Sequence, residues 1–313
     1  MNDTQLADLD VSIPEVWAKE VLIEGEKLMF WHQFEGEQGS GMPIIRKDDL
    51  TKMAGDTIHV ITVSNLTGSG VTGESTLTGN EEKLVVGEIQ LTMARLRHAI
   101  RFTRDTVQRS ILDVRRAARG RLAYWLADKL DNNMFSIATT SATHNIYAGD
   151  ATSVATLNSG DEMDVTTVRK ARVKLISNNA LPLRFAGGVR LYALVMHTFD
   201  EYHLKQDSTY YGFLRDAGVR GDSNPIFTGA LGELDGMLLY SAQNVPNSAS
   251  KSKNVAFGGE AFARAYGQYP DWVEEWFDYK NKLGIATSIV YGDKRAVEAN
   301  SLIVHTYAND PNA

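Results

Sequence analysis

Hydrophobic positions recur in steps of three and four from Thr103 to Ala138, at Val107, Ile111, Val114, Ala118, Leu122, Leu126, Leu130 and Met134. That spacing lays one stripe along an α-helix, and no proline interrupts it. At 1.5 Å per residue the helix would be roughly 50 Å long, well beyond the three or four turns usual in globular proteins. Such a rod cannot be buried whole in a compact domain. It is expected to be a backbone on which other elements hang, a contact along which neighbouring molecules lie, or both. Gly120 near its middle, about 1 kcal/mol worse than Ala in a helix, marks a place for a kink or a close neighbour.

Upstream, Ser12 and Glu15 form a capping-box pair ahead of a weak helix over residues 12–31, with Trp17, Val21 and Leu28 on one face. The bulky Trp17, Phe30 and Trp31 find little local core there, so Trp17 and Trp31 are expected to be buried by something outside the segment. Residues 35–43, EGEQGSGMP, have the composition of a flexible linker, and residues 1–50 read as an arm reaching away from the body. Ile58, Val60 and Val63 then predict a strand, and Leu84–Met93 a second. The stretch between them is rich in Gly, Ser and Thr and almost devoid of large apolar residues. The pattern predicts a long two-stranded excursion whose tip has no core of its own. Isolated hairpins are marginal in water, so order imposed by a neighbour is expected.

Downstream, residues 139–160 read as a polar loop, and Asp164 caps a helix to Ser177 with Val168, Ala171, Val173 and Leu175 partly on one face. Arg190–His197 is an almost continuous apolar run of strand length, suited to the centre of a sheet covered on both sides. Gly229–Gly236 and residues 237–246 describe a strand, a glycine turn, a second strand and a proline stop. Residues 254–267 predict a strand followed by a short helix starting near Gly259–Glu260, with Trp272, Trp276 and Phe277 at helical spacing as packing anchors. Ile285–Tyr291, a turn at Gly292–Asp293 and a closing strand Ser301–Tyr307 complete an α+β body with mostly antiparallel pairing.

Composition sharpens this picture. A chain of 313 residues with 43% apolar content has enough material for a real core, in two units or one large one. It contains no cysteine, which removes disulfides, thiolate metal sites and cysteine nucleophiles and fits a reducing cytoplasm. The N-terminus lacks the basic and apolar blocks of a signal peptide, and no apolar run approaches 18 residues, so a soluble, non-exported chain without a membrane segment is expected. The net charge of −7 hides an asymmetry: residues 95–121 carry nine arginines and two aspartates, a net of +7, which leaves −14 on the remainder. Arg109, Arg115, Arg116 and Arg119 on the predicted helix suit ion pairs within or between subunits better than nucleic acid, because the planar guanidinium fork is favoured at protein interfaces. The overall negative charge argues against sequence-independent DNA binding by the free protein.

Candidate chemistry is sparse. Gly68, Gly70 and Gly73 match the dinucleotide fingerprint, but the residues after Gly73 have neither helical periodicity nor the length of a crossover to a parallel strand. His197, Asp200, Glu201 and His203 are the densest histidine cluster; a third ligand at fixed spacing and a second shell are lacking, and a hydrogen-bonded strand-end histidine is the simpler reading. No G-x-S-x-G, H-E-x-x-H, Walker A or EF-hand pattern occurs. No catalytic residue, cofactor or metal is therefore assigned.

Six segments in order carry a resemblance: Asp48-Asp49-Leu50 through Gly55-Asp56-Thr57, Leu77-Thr-Gly79-Asn80-Glu81-Glu82, Tyr192–His197, Gly232–Gly236, Phe257-Gly-Gly259 with Ala261–Gly267, and Asp278-Tyr279 through Ile285 to Gly292. Together the chain resembles the major capsid proteins of tailed bacteriophages, of the Hong Kong 97-type fold, and within them the coat family of N4-like phages. The resemblance implies assembly without catalysis: an N-terminal arm (1–54), an extended loop (55–102), a peripheral domain with the spine helix (103–163), an axial domain (164–280) and returning peripheral strands (281–313). It implies hexamers and pentamers of one chain in an icosahedral shell around double-stranded DNA, formed in the host cytoplasm, with separate scaffolding, portal and decoration proteins. Trp17, Trp31, Gly68, Gly70, Gly73 and the four helix arginines become subunit-interface candidates. The competing readings are an enzyme that binds a nucleotide at Gly68–Gly73, and a structural protein forming rings or tubes.

Overall fold

The computed structural model describes residues 29–48, 57–63, 66–110, 113–186, 188–210, 212 and 231–312. A 3-10 turn at Trp31–Phe34 leads into strands β1 (Glu35–Gly36), β2 (Ile44–Lys47), β3 (Thr57–Val63), β4 (Val86–Thr92) and β5 (Ala94–Thr103). Helices α1 (Arg104–Arg109) and α2 (Val114–Thr139) come next, then β6 (Asn145–Tyr147), α3 (Val165–Ser177), β7 (Arg184–Ala186), β8 (Val189–Met196) and α4 (Thr198–Gln206). The rest is strand: β9 (Glu233–Leu234), β10 (Met237–Ser241), β11 (Asn247–Ser248), β12 (Lys251–Phe257), β13 (Phe262–Phe277), β14 (Lys282–Arg295) and β15 (Ser301–Tyr307).

The apolar stripe forms a helix, but not one continuous rod. The Thr103 hydroxyl accepts from the Thr106 N–H at 3.3 Å to start α1, which stops at Ser110 in extended conformation. Asp113 then caps a new helix by accepting from the Arg115 and Arg116 N–H groups at 3.1 and 3.2 Å. Side chains that bond to the backbone favour caps over helix interiors, and such caps at Thr103 and Asp113 divide the run. Helix α2 is thus 26 residues and ~39 Å long, and it passes through Gly120.

Three sheets gather the strands: β1-β2-β13-β14-β5, the larger β6-β15-β12-β8-β10-β9 with β7 and β11 appended, and the separate pair β3–β4. Pairing is mostly antiparallel, as expected, with parallel neighbours at β1–β2, β2–β13, β8–β10 and β6–β15. Helix α2 spans the first two sheets. Ala118, Leu122, Leu126 and Leu130 pack on Trp272, Leu283, Ile285, Ile289 and Tyr291 of the first, while Met134, Phe135 and Ala138 reach Val195, Val255 and Phe257 of the second. On the opposite face of the second sheet, Val168, Ala171 and Leu175 of α3 meet Tyr192, Leu194 and Met196 of β8. Being covered on both faces is why β8 reads as an unbroken apolar run. Val173 is the exception on α3 and lies in solvent.

Several expectations are corrected. Residues 35–43 are no free linker, and Trp31 needs no neighbouring molecule. Its side chain is wholly buried among Phe34, Phe135, Phe257 and Phe262, with ring centroids 5.0–5.8 Å apart, and the Phe30 and Trp31 N–H groups donate to Asp131 on α2 at 2.7 and 3.2 Å. Glu35 then accepts from Arg264 of β13 at 2.9 Å. No helix begins at Gly259–Glu260: β13 runs for 16 residues there and absorbs Pro270 at a bulge. Trp272 is buried in that strand, whereas Trp276 and Phe277 are partly exposed. Gly292–Asp293 is no turn either, because β14 continues through it and Asp293 pairs with Arg264 at 2.7 Å. The span 164–280 is divided, with β13 in the first sheet. Residues 12–28 of the expected first helix, with Trp17, and the 49–56 segment lie outside the described residues.

Arg264 has 0% exposure and is held by Glu35, Asp293 and the Leu130 carbonyl. Replacing it in Arg264→Met should cost about 3–5 kcal/mol in chemical denaturation, because two buried carboxylates lose their cation. A loss below about 1 kcal/mol would show that the cluster does not organise the fold.

Candidate functional site

Among the described residues, the β3–β4 hairpin is a long feature that the body does not bury. Its strands pair from Thr57↔Thr92 to Val63↔Val86, about 23 Å of ladder. At the base, alternate residues Ile58, Val60, Ile89 and Leu91 pack on Ile45, Ala263 and Ala265 of the first sheet. Beyond the base the chain covers nothing. Ile61, Val63, Leu66, Leu77, Leu84, Val85 and Val86 are each 57–65% exposed, and large apolar side chains left bare in number on one excursion point to an interaction site.

The glycine-rich tip is organised from within. Glu82 accepts from the Thr67 and Gly68 N–H groups at 2.7 and 2.6 Å and from the Thr67 hydroxyl at 3.1 Å. Those backbone bonds hold its pKa below the ordinary carboxylate value. The amides a phosphate would need are thus taken by a carboxylate of the same chain, and residues 71–85 contain no helix whose N-terminus faces a ligand. Gly70 and Gly73, each at φ +70°, lie in this exposed loop, Gly73 within a turn.

The arginines do not share one helix face. Arg95, Arg97 and Arg101 stand on the edge strand β5, which alternates as a half-buried strand should, with Leu96, Ile100 and Phe102 turned towards α2. Arg109 ends the short α1, and Arg116 is exposed on the first turn of α2. Arg115 pairs with Glu274 of β13 at 2.9 Å, and Arg119 lies half-buried one turn further on.

The histidine cluster is structural. His197 caps α4, its Nδ1 accepting from the Phe199 N–H at 3.2 Å, and burial lowers its pKa. Asp200 is buried on the same helix and accepts from the Thr306 hydroxyl at 2.6 Å and from Asn254 at 3.0 Å, with Ser252 and His203 also facing it. Burial raises its pKa to about 6. Among the described residues no group of three or more His, Asp or Glu side chains converges to hold a metal. Nor is any described helix long and apolar enough to cross a membrane.

Two family models, both described as phage capsid protein, match residues 15–149 and 89–300. The second alone covers two thirds of the sequence. The chain belongs to the phage capsid protein family. It is 26% identical to the major capsid protein of Pseudomonas phage KPP25 over 93% of its own length and 91% of the relative's. Among solved structures it is similar to the capsid of Ralstonia phage GP4, with a TM-score of 0.77 and 25% identity over 91% of this chain and 92% of that one. The Cyanophage Pam1 capsid asymmetric unit shares the fold, with a TM-score of 0.77 and 18% identity over 90% and 92% of the two chains.

In this capsid protein the interface candidates therefore separate. Gly68, Gly70 and Gly73 lie together on the bare hairpin, Arg109 ends α1, Arg115, Arg116 and Arg119 stand on the first turns of the spine helix α2, and Trp31 belongs to the interior. The exposed apolar residues of the hairpin strands and the arginines of β5 are surfaces that sequence reasoning missed. The alternation of Leu96, His98, Ile100 and Phe102 with arginines was the available signal for β5.

Asp200 gives the capsid protein a testable pH dependence. Its folded pKa lies above the ordinary value, so the folded chain keeps a proton the unfolded chain has released. The stability this confers is complete below pH ~4 and is lost as pH rises through ~6. Between pH 4 and 7, wild type should lose about 2 kcal/mol relative to Asp200→Asn in urea denaturation. A difference independent of pH would refute the assignment.

Proposed function

We propose that this capsid protein is the major building block of an icosahedral phage head, its copies associating as hexamers and pentamers around double-stranded DNA. The observation that carries the reading is the hairpin: a rigid base continuous with the core, and an outer half whose apolar residues have nothing in their own chain to cover them. A single copy leaves this surface wet; a lattice of copies covers it. The extended loop, residues 55–102, lies across an adjacent subunit. The first sheet with α2 forms the peripheral part, and the second sheet with α3 and α4 the axial part at the centre of each capsomer. Trp17 is a candidate contact with a neighbouring copy.

The role is structural, without catalysis. The glycine loop is occupied by Glu82, and the buried titratable groups are tied into packing. Scaffolding, portal and decoration proteins are separate partners, and assembly takes place in the host cytoplasm. The packaged DNA is a non-specific neighbour of an acidic chain, so shell formation does not require it.

Deleting residues 65–85 should leave a soluble, cooperatively melting body and reduce shells seen by electron microscopy to none, where the full chain forms closed particles. Intact shells from the deletion would overturn the role of the hairpin. Open rings or tubes from the full chain would instead favour the ring-forming alternative.

A further inference from the structure

The point where the N-terminal segment joins the body opens onto an uncovered face of the spine helix. The Phe30 and Trp31 N–H groups end on Asp131, and Met29 packs on the cluster that holds Leu126 and Leu130, so the chain meets α2 at a fixed place. Phe30 lines a cleft there with Tyr124, Ala127 and Asp128 of α2 and with Asn244. Beyond Asp131 the helix is closed, because Met134, Phe135 and Ala138 are buried against the second sheet. In the other direction one face stays open. Arg116 and Arg121 are exposed on it, Tyr124 is 58% exposed, and between them lie the small Ala117 and Gly120, both partly exposed. Among the described residues Arg121 has no ion pair.

The 28 residues that precede Met29 carry seven acids and two lysines, a net of −5. Phe30 stands 101 positions before the aspartate that holds it. Two helices running side by side in the same direction keep such an offset, since both rise equally per residue. Carried back through the helix expected from Ser12, the offset sets Trp17 level with Ala118, within one turn of Ala117 and Gly120. It sets Glu20 level with Arg121 and Lys27 level with Asp128. Residues two turns apart share a flank of a helix, so Glu20 and Lys27 form one flank and Arg121 and Asp128 another, with opposite signs at both levels. Gly120, unfavourable inside a helix, also gains a use, because a position without a side chain lets a bulky neighbour come close.

We infer that in a lone copy residues 12–28 lie along this face of their own α2 and parallel to it, with Trp17 over Gly120, Glu20 beside Arg121 and Lys27 beside Asp128. The occupant is the chain's own segment because Met29 tethers it at the face, where its effective concentration is of order mM and exceeds that of any free copy in dilute solution. The inference concerns the unassembled protein and does not depend on the capsid reading above. Docking of this kind withholds Trp17 from other copies until a neighbour displaces it.

The test uses the full chain, dilute and unassembled, with chymotrypsin as the probe, since it cuts after Trp17. Arg121→Glu and Glu20→Lys should each raise the rate of that cleavage about tenfold, and the two together should return it to within about threefold of wild type. Glu20→Lys leaves the packing of the body untouched, so its effect cannot come from unfolding. Gly120→Leu should speed the cleavage likewise by filling the place of the indole. Wild-type protection should be unchanged across about a hundredfold dilution. Cleavage as fast in wild type as in the single variants, or a double variant no better than the singles, would overturn the contact. Protection that fades on dilution would overturn it too, and would assign the segment to a second copy.

Discussion

The structure depends on one buried cation. Arg264 sits where the N-terminal segment, the spine helix and the two longest strands meet, and its guanidinium is shared among Glu35, Asp293 and the Leu130 carbonyl. A charge without exposure is tolerated only when paired and fully hydrogen-bonded, so the four elements are held in one relative arrangement. Burial by itself would raise Glu35, but the nearby His32 imidazole, 3.6 Å away, and the charge and hydrogen bond of Arg264 outweigh it and keep that carboxyl below its ordinary pKa. Burial pushes Asp293 the other way, against the pull of the same guanidinium. Arg46 adds a second cation at the rim, 3.8 Å from Glu35 and stacked near the Tyr266 and Tyr269 rings.

Fixing the N-terminal segment has a consequence at a distance. Strand β2, which comes after Glu35, places Ile45 under the hairpin, where it meets Ile58, Val60, Ile89 and Leu91 together with Ala263 and Ala265 of β13. The base of the excursion therefore inherits its direction from the same junction that Arg264 closes. A hairpin with no core at its tip can be aimed only from its root. The molecule thus combines a satisfied interior, in which β8 is buried on both faces, with outgrowths whose apolar residues and sheet edges remain uncovered in a single copy.

How legible each element is in the residue order depends on how local its determinant is. Strand β8, strand β15 and the Asp164 cap of α3 were legible because a run of apolar residues or a side chain three positions from its N–H decides them. The coreless excursion was legible for the opposite reason, the lack of anything to bury. Trp31 was misread because its partners stand more than 100 and 220 residues away, and a glycine-rich segment beside it looks like a linker when the acceptor role of Glu35 is invisible. Strand β5 was hidden by its arginines, which drew it into the helix after it, although its apolar residues alternate with period two. The helix expected after Gly259 failed because a strand covered on both sides, F-A-R-A-Y, has no polar face to betray its period. Asp293 reads as a turn residue beside a glycine, and only the distant Arg264 makes it a buried acid.

The arginines resolve an apparent conflict in a chain built to polymerise. Open strand edges invite indiscriminate pairing, and natural proteins blunt them with charge. Ten residues of β5 stand at such an edge, and Arg95, Arg97 and Arg101 make it repel a copy of itself, while the acidic end of β13 does the same on the other side. A net charge of −7 makes copies repel one another at long range, whereas within a Debye length of ~8 Å the arginines of β5 act as a local positive field.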